Sequence, residues 1–176
     1  MDVTLKERAS NIRMLVLDVD GVLTDGKLYF DHAGNEMKAF NTRDGLGMKA
    51  LQQCGIEIAV ITGRKSGAVA QRMSQLDIKH VYQGRDDKLN AFLHLLDITG
   101  LDARQVCFAG DDWIDIPVLM RAGLAVSVAD AEERVKEHAH WITKRNGGEG
   151  AVREICNLIL AAQDKEQIIL DEILAS

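Results

Sequence analysis

The chain is poor in the residues that mark several common protein classes. It has one proline and three cysteines in 176 residues, and aromatic residues make up 5%. Cys54, Cys107 and Cys156 are far apart, odd in number and without CxxC spacing. A zinc site is therefore not expected, and buried thiols in a reducing compartment are. There is no basic excess. The formal net charge is −6 and the pI about 5.3, so nothing favours nucleic acid or an anionic membrane surface. An anionic substrate must be drawn by a local cation or metal. No apolar run approaches the ~20 residues of a membrane span, and Met1–Arg8 holds no signal-like apolar core. The expectation is a cytoplasmic protein. The five histidines show no ligand spacing, and there is no repeat, linker or low-complexity tract. What remains is 47% hydrophobic and 27% charged, enough for a single domain over residues 1–176 with a real core.

Strand-like and helical patterns alternate along the chain. Strands are expected at Met14–Leu17, Ile56–Ile61, His80–Tyr82, Gln105–Ala109, Ala125–Val128 and His140–Ile142. Helices are expected near Gly47–Cys54, Ser66–Leu76, Lys88–Leu96, Ile114–Arg121 and Ala131–Lys136. Gly55 and Gly123 read as helix stops. A final helical segment, about residues 150–175, is expected to break near Asp164. Such alternation implies α/β architecture, a doubly wound parallel sheet with helices on both faces. One segment, about 27–40, departs from it. Leu28-Tyr29-Phe30 and Glu36-Met37-Lys38-Ala39-Phe40 flank a glycine-bearing turn and read as an inserted β-hairpin. An isolated hairpin is marginal in water, so its apolar side chains need a surface from this subunit or another.

The apolar run Leu15-Val16-Leu17 ends in Asp18-Val19-Asp20-Gly21. Carboxylates are costly at the mouth of a buried strand unless paired or metal-bound, and open α/β sheets bind ligands at that end. Three more polar elements end or follow later strands: Thr62-Gly63-Arg64, Lys88, and Gly110-Asp111-Asp112-x-x-Asp115. Asp18 and Asp20, two residues apart, can point the same way where the strand ends, and Asp111 adds a third carboxylate. Oxygen donors without Cys or His suit Mg²⁺. Without metal the carboxylates would repel a phosphate; with Mg²⁺ and Lys88 the pocket becomes neutral or positive. One carboxylate can then attack phosphorus and a second can move the proton. Thr62 and the Gly63 N–H suit non-bridging phosphoryl oxygens. An EF-hand reading of Asp18–Asp25 fails, because Val22 and Leu23 stand where an oxygen ligand and glycine are needed.

These four elements, in this order, resemble the motifs of the haloacid dehalogenase superfamily of phosphatases. The resemblance implies Asp18 as nucleophile and Asp20 as acid/base. It implies Mg²⁺ held by Asp18, the Asp20 carbonyl and Asp111, and Lys88 steadying nucleophile and phosphate. A closer resemblance rests on Leu23-Thr24-Asp25-Gly26, the hairpin, Phe40–Gly47, Tyr82-Gln83-Gly84 and Gly147–Glu154. These are similar to the family of 3-deoxy-D-manno-octulosonate 8-phosphate (KDO 8-phosphate) phosphatases. That family is capless, tetrameric and serves lipopolysaccharide synthesis. Arg64 and Arg72 match its arginines toward a sugar-acid carboxylate, though each reads equally as surface charge. They lie two helical turns apart, so one is expected to serve across a subunit interface.

Independently of the resemblance, neither the Asp20–Thr62 stretch nor the Lys88–Asp111 stretch leaves room for a lid domain. Enclosure of a small substrate must come from a neighbouring subunit, with the hairpin as the candidate wall. Asp112 and Asp115 can also serve a helix N-terminus; that role is expected for Asp112, and support of the metal or Lys88 for Asp115. Lys88, after Asp86-Asp87, invites a local ion pair. Gly147–Gly150 reads as a turn, or as free N–H groups that meet an anion. Trp113 has no assigned role. Alternative functions are a phosphatase of a sialic-acid-type 9-phosphate, a phospho-aspartate receiver, and a non-catalytic assembly module. The Asp-x-Asp pair favours turnover over a lasting phosphoryl mark.

Overall fold

The structure, a computed structural model, describes residues 3–175. Six parallel strands form its sheet in the order β5-β4-β1-β6-β7-β8. They are β1 (Met14–Leu17), β4 (Glu57–Ile61), β5 (His80–Tyr82), β6 (Val106–Gly110), β7 (Leu124–Ser127) and β8 (Trp141–Ile142). The chain winds outward from β1 through β4 to β5, then resumes on the other side of β1 with β6 to β8. The switch point is thus the carboxyl end of β1. Leu17 pairs in register with Val60 on one side and Ala109 on the other. Asp18, Thr62 and Asp111 therefore leave neighbouring strands at nearly the same height.

Alternation along β1 divides the core. Leu15 and Leu17 pack into a cluster with residues of α2 (Thr42–Gln53), α3 (Gly67–Gln75) and α7 (Ala151–Ala162). Met14 and Val16 face the opposite cluster, with α4 (Lys88–Thr99) and α5 (Ile116–Leu119). Strands buried on both faces account for the uninterrupted apolar runs. Short α6 (Glu133–Lys136) links β7 to β8, and α8 (Glu166–Ala175) follows α7. The expected break lies between them, where Asp164 takes φ 54°.

Three expectations change. Val3–Ser10 forms a helix, α1, whose weak apolar periodicity hid it; only Ala9 is buried there. Helix α2 starts at Thr42 rather than Gly47, capped by the Asn41 side chain, which accepts from the Arg43 N–H. Gly45 and Gly47 lower helix propensity and obscured this start. They stand there because neighbours press close: a Cβ on Gly47 would lie 3.1 Å from the Cys156 Cβ. Gly55 is left-handed, as a helix stop requires, but Gly123 is not. Its reason is packing: a Cβ there would strike the Arg104 backbone carbonyl. Its N–H donates to the Ala103 carbonyl at 2.8 Å, and its carbonyl accepts from Arg8 at 2.7 Å.

The hairpin is smaller than its sequence suggests. Strands β2 (Tyr29–Phe30) and β3 (Glu36–Met37) pair antiparallel apart from the main sheet. The Asp31 carboxylate accepts from the Ala33 and Asn35 N–H groups, both at 2.8 Å, closing the turn. Leu28, Tyr29, Phe30 and Met37 are exposed.

Gly123→Ala should destabilise the protein by about 1–3 kcal/mol, since backbone must move to admit one methyl group. Urea unfolding of the two proteins measures this; an unchanged midpoint would refute the packing account.

Candidate active site

The first motif turns sharply after β1. Leu23 and Thr24 N–H groups both donate to the Val19 carbonyl, at 2.9 and 3.0 Å. Gly21 takes φ 95°, and a Cβ there would collide with the Asp111 carboxylate. Glycine thus lets the first loop descend onto the fourth motif. Gly147 and Gly148 back the same loop, each so close to residues 21–25 that a Cβ would overlap backbone. Their N–H groups are engaged within the protein, Gly147 with Asp130 at 2.9 Å and Gly148 with the Val22 carbonyl at 3.0 Å. Gly147 and Gly148 therefore belong to a structural turn, their N–H groups taken up by the protein.

Lys88, the first residue of α4, is buried and reaches across the crevice. Its Nζ lies 2.8 Å from Asp18 Oδ1 and 2.7 Å from Asp115 Oδ1. The local pair with Asp86 or Asp87 does not form; Asp87 caps α4 instead, its carboxylate accepting from the Asn90 N–H at 3.2 Å. Burial alone would lower the Lys88 ammonium, but Asp18 and Asp115 outweigh it and hold it above its ordinary value. Asp115 also accepts from the N–H groups of Asp111 and Asp112, at 3.1 and 3.2 Å. Asp112 caps the short 3₁₀ turn Trp113–Asp115 by accepting from the Trp113 N–H at 2.7 Å, the helix-start role expected of it.

Asp18, Asp111 and Asp115 each offer an oxygen within 4.8 Å of the others. One ammonium faces three carboxylates, so negative charge is in excess. Burial pushes the Asp18 carboxyl up to about 7, with Asp115 adding and Lys88 opposing. Burial and the Asp18 and Asp115 charges push Asp111 up to about 8. Asp111 Oδ1 is buried without a hydrogen-bond partner. An excess of hard oxygen donors with one orphaned fits a divalent cation of the Mg²⁺ type.

The Asp20 side chain is not in this cluster; its partner is Lys38, from the end of the hairpin. Lys38 also meets Glu36 at 3.2 Å, and Glu36 meets Arg64 at 2.5 Å. The chain of charges Asp20–Lys38–Glu36–Arg64 had no signal in the sequence, because Glu36 and Lys38 read as ordinary hairpin polar residues. Thr62 is buried, its N–H donating to the Tyr82 carbonyl at 2.9 Å and its carbonyl accepting from the Arg85 N–H at 3.0 Å. Gly63 is closely approached: a Cβ there would press on Asp86 Oδ1 at 3.3 Å. Arg72 lies elsewhere, its guanidinium over Gly45 of α2, near Asp44. Burial pushes the Asp44 carboxyl up to about 6, opposed by the Arg153 N–H that it accepts at 2.7 Å and by nearby arginines.

Crowded carboxylates around a lysine, at the switch point of a doubly wound sheet, suit phosphoryl transfer assisted by a hard cation. Known proteins agree. A sequence model of the haloacid dehalogenase-like hydrolases matches residues 80–155. The 3-deoxy-D-manno-octulosonate 8-phosphate phosphatase of Yersinia pestis is 49% identical over 159 residues, 90% of this chain and 85% of that protein. Its crystal structure covers 95% of this chain and 90% of its own, with TM-score 0.93 and 47% identity. The enzyme of the same name from Moraxella catarrhalis, solved with magnesium ion, phosphate ion and KDO, has TM-score 0.94 and 40% identity, covering 96% and 97% of the two chains. The chain belongs to the haloacid dehalogenase-like hydrolases, in the family that holds these KDO 8-phosphate phosphatases.

The raised carboxyls set a pH dependence. Between the ordinary carboxylate range and about 7 to 8, folded Asp18 and Asp111 keep protons that the unfolded chain has released. Metal-free stability therefore falls as pH rises through that window. Melting in chelator should show a lower Tm at pH ~8.5 than at pH ~5.5, and Mg²⁺ should raise Tm more at the higher pH, where protons no longer compete for the ligands. A metal-free Tm that rises across that range would contradict the burial account.

Proposed function

We propose that this protein is a Mg²⁺-dependent phosphatase of 3-deoxy-D-manno-octulosonate 8-phosphate, releasing KDO and phosphate through an aspartyl-phosphate, in lipopolysaccharide synthesis. The observation that carries the reading is Asp18 held between Lys88 and the Asp111–Asp115 carboxylates. The magnesium, phosphate and KDO seen in the Moraxella relative support the substrate class. Asp18, the Asp20 carbonyl and Asp111 are the metal ligands, with Asp115 supporting through Lys88. Bound Mg²⁺ would supply positive charge to the phosphoryl oxygens, which the carboxylates alone would repel.

Asp18 Oδ attacks phosphorus, and the bond from phosphorus to the ester oxygen breaks. That oxygen leaves with the electron pair and takes a proton from Asp20. Asp20, now a carboxylate, takes a proton from water as the water oxygen attacks the aspartyl-phosphate. The bond from phosphorus to Asp18 breaks, returning the carboxylate and inorganic phosphate. Lys88 fixes the attacking carboxylate and balances phosphoryl charge. Thr62 Oγ1 and the Gly63 N–H receive the non-bridging oxygens. Arg64 and Arg72 are assigned to the sugar acid. Arg64 already faces the site through Glu36, whereas Arg72, packed on α2, suits a contact across an interface.

The protein acts in the cytoplasm as a homotetramer with shared sites. The exposed Leu28, Tyr29, Phe30 and Met37 of the hairpin are the surface that a neighbouring subunit covers, and that neighbour walls the substrate. No helix among the described residues is long and apolar enough to cross a membrane.

Asp18→Asn should lower phosphate release by more than about a thousandfold, as loss of a nucleophile does, with an unchanged circular dichroism spectrum. Near-normal turnover would end the covalent mechanism. Chelation should abolish activity and Mg²⁺ restore it. Over a panel of sugar phosphates, KDO 8-phosphate should be turned over with the highest kcat/KM. Equal rates on unrelated phosphates, or preference for a nine-carbon sugar-acid 9-phosphate, would overturn the substrate assignment.

A further inference from the structure

A lysine on a two-strand hairpin ordinarily extends into water, because its stem lies along apolar surface while the ammonium stays hydrated. Lys38 does the opposite. Its side chain is 1% exposed, although the outer residues of the same hairpin stand in solvent. A buried ammonium is costly unless paired, and Lys38 has two partners, Asp20 and Glu36. Asp20 belongs to the loop after β1, and Arg64, which holds Glu36 from the far side, to the loop after β4. The hairpin is thus clamped to both loops by alternating charges. The clamp works in the other direction as well. Asp20 sits on a loop rather than in a strand or helix, and its carboxylate accepts from the Lys38 ammonium.

We propose that Lys38 is the positioning residue for Asp20: from the hairpin it orients the carboxylate that exchanges a proton with the leaving oxygen and then with water. Lys38 keeps its own protons throughout; the proton moves between Asp20 and oxygen alone. The proposal rests on the acid/base reading of Asp20. It makes the hairpin part of the proton-transfer apparatus as well as a wall.

The test compares two leaving groups. A sugar alkoxide needs a proton as it departs, whereas p-nitrophenolate leaves without one. Lys38→Met should lower kcat/KM on KDO 8-phosphate, which covers the steps up to departure of the alkoxide, by about 10- to 100-fold, at or below the low end of the ~100- to 10,000-fold of general acid–base assistance. On p-nitrophenyl phosphate kcat/KM should stay within about threefold; kcat is not the readout, because water attack on the aspartyl-phosphate, common to both substrates, also uses Asp20. Lys38→Arg, which keeps the charge, should recover most of the loss. Lys38→Gln gives the same comparison should the apolar variant not fold. Asp20→Asn is the reference and should show the same split between substrates. A split in Asp20→Asn without one in Lys38→Met overturns the positioning role alone. No split in either variant overturns the acid/base role of Asp20 with it. A split in Lys38→Met alone places the effect away from Asp20 and overturns the proposal as well.

Discussion

Asp18 and Asp115 are buried together at the carboxyl edge of the sheet, and the Lys88 ammonium, 2.8 and 2.7 Å away, is what permits it. Two like charges ~4 Å apart repel by about 4 kcal/mol in a partly screened interior. A cation between them offsets that repulsion with two attractions. Much of the local architecture serves this arrangement. Helix α4 begins where Lys88 can cross the crevice. Asp115 is oriented by the Asp111 and Asp112 N–H groups. Gly21 lets the first loop close over Asp111. Since one ammonium does not neutralise three carboxylates, the metal-free cluster retains protons on Asp18 and Asp111, and a hard cation takes their place when it binds. Metal dependence follows from the same charge balance that shapes the protein fold.

The hairpin stands in a different relation to the core. With two residues in each strand it has too little pairing to hold itself in place. Ion pairs to Asp20 and through Glu36 to Arg64 hold it over the site, while its apolar residues face outward. The residues proposed for attack on phosphorus are thus fixed by the sheet, and the hairpin beside them is fixed by charge. Such an element can change its outer surface without disturbing the carboxylates beneath it.

Much of this was legible in the linear sequence. Apolar runs ending in Asp18-x-Asp20, Thr62-Gly63 and Gly110-Asp111 mark strands whose ends carry polar groups, because strands buried on both faces leave a strong local pattern. Turn and stop glycines were legible where their role is local, as at Gly55. Where the role is a close approach from distant chain, as at Gly123 against Arg104, local pattern misleads. The early start of α2 was lost for the same reason: Gly45 and Gly47 answer to α3 and α7, not to their own helix.

The sequence by itself determined the parallel α/β order, the hairpin insertion, the candidate carboxylates and Lys88, since each is written in spacing and residue type. Only the tertiary structure decided which charges meet. It set Lys88 between Asp18 and Asp115 rather than beside its chain neighbours Asp86 and Asp87, and turned Asp20 from the carboxylate cluster to Lys38. The reason is physical. Pairing between charges depends on distance and burial after folding, and residues far apart in the chain leave no periodic trace of their meeting. The two aspartates one residue apart mark where the chemistry sits; the crossings of α4 and the hairpin set them to different partners.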